Sequence, residues 1–223
     1  MTLQANTLTS PLIIDFYHDA VCGWCYVMSP RLRQVAGELG IQVRHHTFVL
    51  QDSREQMVQV FGSMERAKSE ILGHWKACAE QDDAQRINIE GMRAQTFEYP
   101  NGLASALACQ AAHMLGGDTA HWDYFDAVQR AHLTENRNIG DAVVLTDIAA
   151  SLGFDCAAFT TAMTSEDAAQ RVQADRMQAM QLGIRSIPTL IVSSADKTTD
   201  PIRLQTTPAE LLKSRLQDMM QAA

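Results

Sequence analysis

Short apolar, β-prone runs at the two ends of the chain predict the strands of one sheet. Residues 12–17 (LIIDFY) and part of residues 41–50 (IQVRHHTFVL) are the first two strands, and residues 187–194 (IPTLIVSS) contain the third. Apolar residues recur at helical spacing between Met28 and Leu39, and Gly40 suits the left-handed position after a helix end. Strand, helix and strand in this order predict a βαβ unit with a parallel strand pair.

The middle of the chain has a different pattern. Helical periodicity runs through residues 63–81, 102–115, 119–133, 141–152 and 165–182, with glycine or a capping residue between successive segments. A short strand over residues 202–205 and a helix over residues 207–220 follow the third strand. The pattern therefore predicts an α/β protein in which a helical block interrupts a small sheet.

Composition narrows the class of protein. The chain has 223 residues, 46% of them hydrophobic, and a formal net charge of −8 without a basic stripe. These numbers allow a sizeable core and argue against nucleic acid or an anionic membrane surface as a partner. The chain opens with Met1, and its first residues carry neither a basic cluster nor a long apolar run, so we expect a protein of the reducing cytoplasm.

Two of the five cysteines, Cys22 and Cys25, have a spacing that suits either a metal or a disulfide. Structural zinc needs about four Cys or His ligands, and the chain has no second pair at matching spacing. His45 and His46 are adjacent and should point to opposite faces of a strand. They cannot jointly complete a site with the cysteines, and we therefore predict no metal.

The other three cysteines stand alone among alanines. Such isolated cysteines are most often small buried apolar residues, and the predicted compartment disfavours structural disulfides. This expectation covers Cys78, Cys109 and Cys156.

A redox function fits the cysteine pair better than a metal. Cys22 should lie at a helix N-terminus after the first strand, where free N–H groups and the helix dipole stabilise an anion. Cys25 should lie one turn later, slightly inside, and within reach of the first sulfur. A C-x-x-C beside a βαβ pattern is typical of thioredoxin-like proteins.

Two stretches carry a resemblance to a known family. DFYHDAVCGWCYVMSP (residues 15–30) resembles the first strand and active site of the DsbA-like family, cytoplasmic FrnE-like branch, although that branch usually has Pro-Trp where this chain has Gly23-Trp24. Residues 138–192, ending in GIRSIPTLIV, resemble the family's later helices and its cis-proline strand. The resemblance implies a thioredoxin domain formed by residues 1–51 and 184–223, with an inserted all-helical domain over residues 52–183.

The family also suggests roles for individual residues. Pro188 would follow a cis bond and the backbone of Ile187 would pair with substrate, whereas the residues alone favour a trans proline beginning an edge strand. Trp24 would face the substrate or pack in the core. Three further candidates could tune the cysteines or could simply be solvated: Asp15 as a buried carboxylate on the first strand, and His18 and Asp19 in the loop that follows it.

The resulting hypothesis is a thiol–disulfide oxidoreductase or isomerase, in which Cys22 forms a mixed disulfide and Cys25 resolves it. It needs no metal or organic cofactor, glutathione is a candidate redox partner, and the protein would act as a monomer or homodimer. One alternative is a glutathione-dependent enzyme resembling 2-hydroxychromene-2-carboxylate isomerase or kappa-class glutathione transferase, which usually have Ser in place of Cys22. The other is a non-catalytic binding or chaperone module.

Overall fold

A four-stranded mixed sheet forms the centre of the molecule. The computed structural model describes residues 10–196 and 200–222. In these residues the sheet has the order β2-β1-β3-β4, with β1 and β2 parallel and the other two neighbouring pairs antiparallel. The strands are β1 (Leu12–His18), β2 (Gln42–Thr47), β3 (Thr189–Ser194) and β4 (Ile202–Leu204).

The two central strands, β1 and β3, are covered on both faces of the sheet, so residues that point to either face are mostly buried. Ile14 and Phe16 belong to the main core, whereas Tyr17 packs with Ile191 in a smaller cluster. The strand β2 ends at Thr47 rather than continuing to residue 50, because Val49 has a left-handed φ of 58° and the chain leaves the sheet there.

Helix α1 (Gly23–Leu39) connects the parallel strands and packs on the main-core face of the sheet. It ends where the sequence predicts, at Gly40, whose φ is 64° and whose N–H donates to the carbonyl of Ala36. The last helix, α9 (Ala209–Ala222), packs against α1.

The segment between β2 and β3 is helical in the structure. Its helices are α2 (Arg54–Phe61), α3 (Met64–Gln81), α4 (Ile89–Ala94), α5 (Leu103–Leu133), α6 (Ala142–Ser151), α7 (Cys156–Met163) and α8 (Glu166–Gln181). The sequence predicts two helices over residues 102–133, and the structure confirms them as the two helical halves of α5, joined by a kink at Gly117, where φ is 74° and ψ is −164°. Glycine fits this bend because L side chains rarely adopt a positive φ.

The helical segment is not separated from the sheet by a gap in the packing. Helices α5 and α8 both contact β2, and the main core includes residues of the sheet, α1 and α5. The division of the chain at residues 51/52 and 183/184 stays a prediction. Within the part of the chain that the structure describes, no helix combines the length and the apolar character needed to cross a membrane.

Candidate active site

Cys22 occupies the position that begins helix α1. It is the N-cap residue with extended backbone (φ −87°, ψ 112°), so the free N–H groups of the first helical turn lie beside it. Its Sγ lies 3.9 Å from the carbonyl oxygen of Ile187 and can donate to it. The Cys22 carbonyl accepts from the amide of Tyr26 at 3.2 Å and from Nε2 of Gln129 at 3.1 Å. These bonds fix the backbone that carries the sulfur.

Cys25 lies on the first turn of α1 and is fully buried. Burial raises the pKa of its thiol well above the usual value, and the hydrogen bond and charge of neighbouring Cys22 act in the same direction. Both cysteines are free thiols in this structure. Cys22 is also buried, at 7% exposed, so an exposed first cysteine is not found; the pair differs in that Cys22 lines a cavity whereas Cys25 is 0% exposed.

The peptide bond between Ile187 and Pro188 is cis, the isomer that the resemblance implies. It lies immediately before β3, and it turns the carbonyl of Ile187 toward the Cys22 sulfur. Pro188 is buried, and it borders a groove of about 590 Å³ together with Trp24 and Ile187.

A second cavity, of about 340 Å³, opens directly on Cys22. It brings together three of the predicted site residues, Cys22, Trp24 and Ile187, and its remaining walls come mostly from α3 and the loops on either side of the sheet. The lining residues that the sequence did not single out for this site include Leu50, Phe61, Ile71, His74, Trp75, Cys78 and Arg185. Their spacing carries no signal, because they meet only when the chain is folded.

Asp19 is the carboxylate whose charge acts on the pKa of Cys25. It is 4% exposed, and its two oxygens accept from the amides of Leu50 at 2.7 Å and Val21 at 3.2 Å. Burial raises its pKa in spite of these bonds, and its charge adds to the effects that raise the pKa of Cys25. The site requires glycine at position 102, because a Cβ there would collide with the Asp19 carboxylate.

Asp15 lies elsewhere. Its oxygens accept from Arg44 at 2.8 Å and from Nε2 of His46 at 2.9 Å. Burial acts to raise its pKa, but the hydrogen bonds to His46 and Arg44 outweigh burial and lower it. The structure thus assigns Asp15 to an ion-pair network beside α8, and the contacts that act on Cys25 come from Asp19 instead.

His18 makes no hydrogen bond to the cysteines in the described residues. It is 1% exposed, and burial lowers the pKa of its imidazole well below the usual value, which leaves the ring neutral. Its Nε2 lies 3.1 Å from Nδ1 of His45, and the ring of His121 is 5.3 Å away. His45 and His46 point in opposite directions, as strand alternation predicts, because His45 lies beside His18 whereas His46 contacts Asp15 and Asp175. The addition of His121 from α5 to this group was not predicted from the sequence.

The three isolated cysteines do not share one environment. Cys78 and Cys109 are buried, as expected, and burial raises the pKa of Cys78 to about 12. Cys156 is exposed, so its predicted burial is wrong. It lies in the first turn of α7, ahead of Phe159, where the buried face of that helix begins.

This fold with a C-x-x-C pair at the start of α1 defines the chain as a thioredoxin-fold protein. The chain belongs to the DsbA-like thioredoxin domain family, whose model matches residues 13–217. That match supports the resemblance drawn from the sequence, although it does not single out the FrnE-like branch.

Solved structures of similar fold have low sequence identity. A putative protein disulfide isomerase from Nitrosomonas europaea superposes with a TM-score of 0.77 at 21% identity, covering 95% of this chain and 98% of its own. The cytosolic disulfide reductase DsbM from Pseudomonas aeruginosa gives 0.76 at 22% identity, covering 95% and 100%, and has also been solved with GSH. A 2-hydroxychromene-2-carboxylate isomerase gives 0.64 at 16% identity, covering 94% and 95%. These likenesses show a shared fold.

Proposed function

We propose that the protein is a thiol–disulfide oxidoreductase in which Cys22 is the attacking residue and Cys25 the resolving residue. The observation that carries the proposal is the asymmetry of the pair. The Cys22 sulfur lies at a helix N-terminus beside a cavity and the carbonyl of Ile187, whereas Cys25 is fully buried one turn away. A helix N-terminus favours a thiolate, which is the form of cysteine that attacks disulfides.

In the first step, the thiolate of Cys22 attacks one sulfur of a substrate disulfide. A bond forms between that sulfur and Cys22 Sγ, the substrate S–S bond breaks, and the other substrate sulfur leaves as a thiolate. The carbonyl of Ile187 faces the same space and can accept a hydrogen bond from an extended substrate backbone.

In the second step, Cys25 loses its proton and attacks Cys22 Sγ. The second half of the substrate leaves as a thiolate, and the two cysteines become a disulfide. Two electrons have passed from the protein to the substrate. The same steps in reverse oxidise a dithiol, so the potential of the pair sets the direction.

The cavity suits a small disulfide or a short extended peptide. Its wall is mostly apolar, whereas His74 and Arg185 are exposed residues at its border. A cation at the rim would favour an anionic thiol such as glutathione. The likeness to DsbM, a cytosolic disulfide reductase that has also been solved with GSH, supports the reducing direction and a cytoplasmic location. The exchange itself uses sulfur atoms and requires no metal or organic cofactor.

Substrate trapping tests the two cysteine roles. We expect Cys25→Ser to accumulate mixed disulfides that a reductant releases, because the first step proceeds and the second is blocked. Cys22→Ser should accumulate none and should lose glutathione-dependent reduction of bis(2-hydroxyethyl) disulfide. Cys156→Ser is the matched control, since that thiol is exposed and remote from the pair. Trapping by Cys22→Ser and not by Cys25→Ser would reverse the roles.

A glutathione-dependent isomerase is the second candidate, favoured by the mostly apolar cavity and by the fold shared with 2-hydroxychromene-2-carboxylate isomerase. This chemistry has no use for a second thiol. If it is the true activity, Cys25→Ser will isomerise a chromene acid with glutathione as fast as the unmodified protein, and neither will reduce disulfides. A binding module would instead retain its function in Cys22→Ser.

A further inference from the structure

Three histidines from distant parts of the chain meet inside the protein, away from the cysteine contacts described above. His18 ends β1, His45 lies on β2, and His121 lies on α5 beyond the bend at Gly117. Their exposed fractions are 1%, 7% and 0%. One ring nitrogen from each lies within 4.8 Å of the others.

We propose that His18, His45 and His121 form a binding site for a d¹⁰ metal ion, zinc(II) or copper(I), held by three neutral imidazoles. Imidazole nitrogen is a preferred ligand of both metals. The site would join β1, β2 and α5 through one ion. It would be independent of the disulfide exchange proposed above.

The spacing of the rings fits one shared ion. An ion about 2.0–2.1 Å from each of three imidazole nitrogens at tetrahedral angles would hold those nitrogens roughly 3.3 Å apart and the ring centres roughly 5 Å apart. The three ring centres are 5.2, 5.3 and 5.0 Å apart. Nε2 of His18 and Nδ1 of His45 are 3.1 Å apart. These two nitrogens are joined by a hydrogen bond that an ion would replace, and the nitrogen of His121, which lies within 4.8 Å of both, would move closer to share the ion.

The second observation is the lack of hydrogen-bond partners. Among the described residues, neither ring nitrogen of His121 has one, and Nε2 of His45 also lacks one. A buried polar group without a partner destabilises the folded state, so a fully buried imidazole needs a reason to be there. If the rings served only as aromatic filling, phenylalanine would pack at position 121 without that cost. A bound ion would use the free lone pair.

The surroundings of the site are suited to neutral ligands and offer a route of entry. The rings of Phe16, Trp122 and Phe125 pack against the histidines. A neutral imidazole has one ring nitrogen with a free lone pair, so the fully buried His121 can bind an ion through that nitrogen. His45 also borders a surface cavity of about 280 Å³, whose charged lining residues include Arg44 and Arg171 as well as Asp118 and Asp175, and this cavity is the route by which an ion would reach it.

Metal titration of the full chain tests the proposal. The cysteine pair would itself bind both ions, so the titration uses a Cys22→Ser/Cys25→Ser/Cys156→Ser protein. Zinc(II) and copper(I) are added separately, each against a chromophoric chelator. We expect the protein to bind one equivalent of at least one of the two ions at the three histidines. Comparison of the two titrations shows which ion the site binds. X-ray absorption should then show nitrogen ligands near 2.0–2.1 Å.

Two matched substitutions in that background decide the site. Loss of a residue that only hydrogen-bonds to a metal ligand lowers metal affinity by roughly 10- to 100-fold. His121→Phe removes a ligand itself, so it should lower the affinity by more than that. His132→Phe changes a histidine that is equally buried on the same helix, and it should leave the affinity unchanged. Equal binding by the His121→Phe protein and its parent, or no bound equivalent of either ion, would overturn the proposal.

Thermal unfolding distinguishes a loss of metal binding from a failure of the variant to fold. His121→Phe removes two unpartnered nitrogens, so the metal-free variant should melt no lower than its parent. The bound ion should raise the melting temperature of the parent and not that of the variant. If His121→Phe fails to fold, His18→Gln replaces it, and retention of full affinity in that variant would contradict the proposal.

Discussion

The sulfur of Cys78 lies against the backbone of Gly23, the first residue between the two active-site cysteines. A Cβ atom placed on Gly23 would lie 2.9 Å from Cys78 Sγ and 3.2 Å from its Cβ. A side chain at position 23 would therefore press on the α3 residue that lines the same cavity. This contact gives a physical reason for glycine where the resembling family branch usually has proline.

We expect Gly23→Ala to destabilise the protein by about 1–3 kcal/mol, the usual cost of adding atoms to a well-packed core. Adding Cys78→Ala removes the sulfur and should recover part of that loss, giving a coupling energy of about 0.5–2 kcal/mol in a double-mutant cycle. Urea unfolding measures each free energy. Additive effects of the two changes would mean that the contact carries no strain.

Gly37→Ala is the control for the effect of alanine on the helix itself. Gly37 lies in the same helix, is exposed, and has nothing within 4 Å of its virtual Cβ. Alanine should stabilise the protein here by about 0.5–1 kcal/mol, because glycine loses more backbone entropy on folding. The opposite signs at positions 23 and 37 would separate packing from helix propensity.

Asp19 should affect the rate at which Cys25 resolves a mixed disulfide. Burial is the main cause of the raised pKa of Cys25, and the charge of Asp19 adds to it. Asp19→Asn removes that charge, so the pKa of Cys25 should fall and its thiolate fraction should grow tenfold per unit. Decay of a preformed mixed disulfide, measured by stopped-flow mixing, should be faster. One backbone hydrogen bond is lost, so we also expect about 1–3 kcal/mol of destabilisation.

Asp15→Asn is the matched comparison, because Asp15 is bound by Arg44 and His46 and not by the cysteine pair. Its resolution rate should equal that of the unmodified protein. Slower resolution in Asp19→Asn would mean that Asp19 accepts the proton of Cys25 as a base, and slower resolution in Asp15→Asn would restore the role suggested by the sequence.

Much of the fold follows from local patterns, whereas much of the site does not. The strands, the helix after the cysteines and the Gly40 ending depend on neighbouring residues and were predictable. Successive residues of a strand point to different faces of the sheet, so Asp15 lies on the face away from Phe16 and α1. The separation of Asp15 from Cys25 could therefore have been inferred from the sequence. The approach of Cys78 to Gly23 depends on how α3 packs, and local sequence carries no record of it.

The histidine group shows the same limit more sharply. Between His45 and His121 the chain forms α2, α3, α4 and the first part of α5. The kink at Gly117 then sets the direction of the part of α5 that carries His121. In the sequence, His45 is a candidate ligand only together with the cysteine pair, which leads to the prediction of no metal. Three single histidines on three elements have no characteristic spacing, so only the packed structure brings them together.

His132 should make the protein sensitive to acid. Burial lowers its pKa to about 3, whereas the unfolded chain has the usual value of about 6.5. Between these values the unfolded state binds more protons. The stability from neutral His132 is therefore complete above pH 6.5 and is lost as pH falls toward 3, by up to about 1.4 kcal/mol per pH unit.

In the His132→Phe protein the part of this dependence that comes from His132 should disappear, whereas the buried His18, His45 and His121, whose pKa values burial also lowers, should keep their contributions. At pH 7 the variant loses the 2.9 Å hydrogen bond to Tyr99 and should be less stable by about 0.5–1.5 kcal/mol. The gap should close as pH falls from 6.5 to 5, which urea unfolding at several pH values would show. Exposed His74→Gln is the control and should leave the slope unchanged. A gap that stays constant with pH would contradict the buried, neutral state of His132.

The order in which the thiols react should follow their exposure. Cys22 borders the cavity at a helix N-terminus, whereas Cys25 is fully buried and burial raises its pKa. Exposed Cys156 would compete for a small alkylating reagent, so the experiment uses Cys156→Ser. One equivalent of iodoacetamide at pH 7 should label the reduced variant at Cys22, as peptide mass mapping would show. After oxidation by excess oxidised glutathione, a Cys22–Cys25 disulfide should protect that position. Preferential labelling of Cys25 would mean that the buried sulfur is the nucleophile.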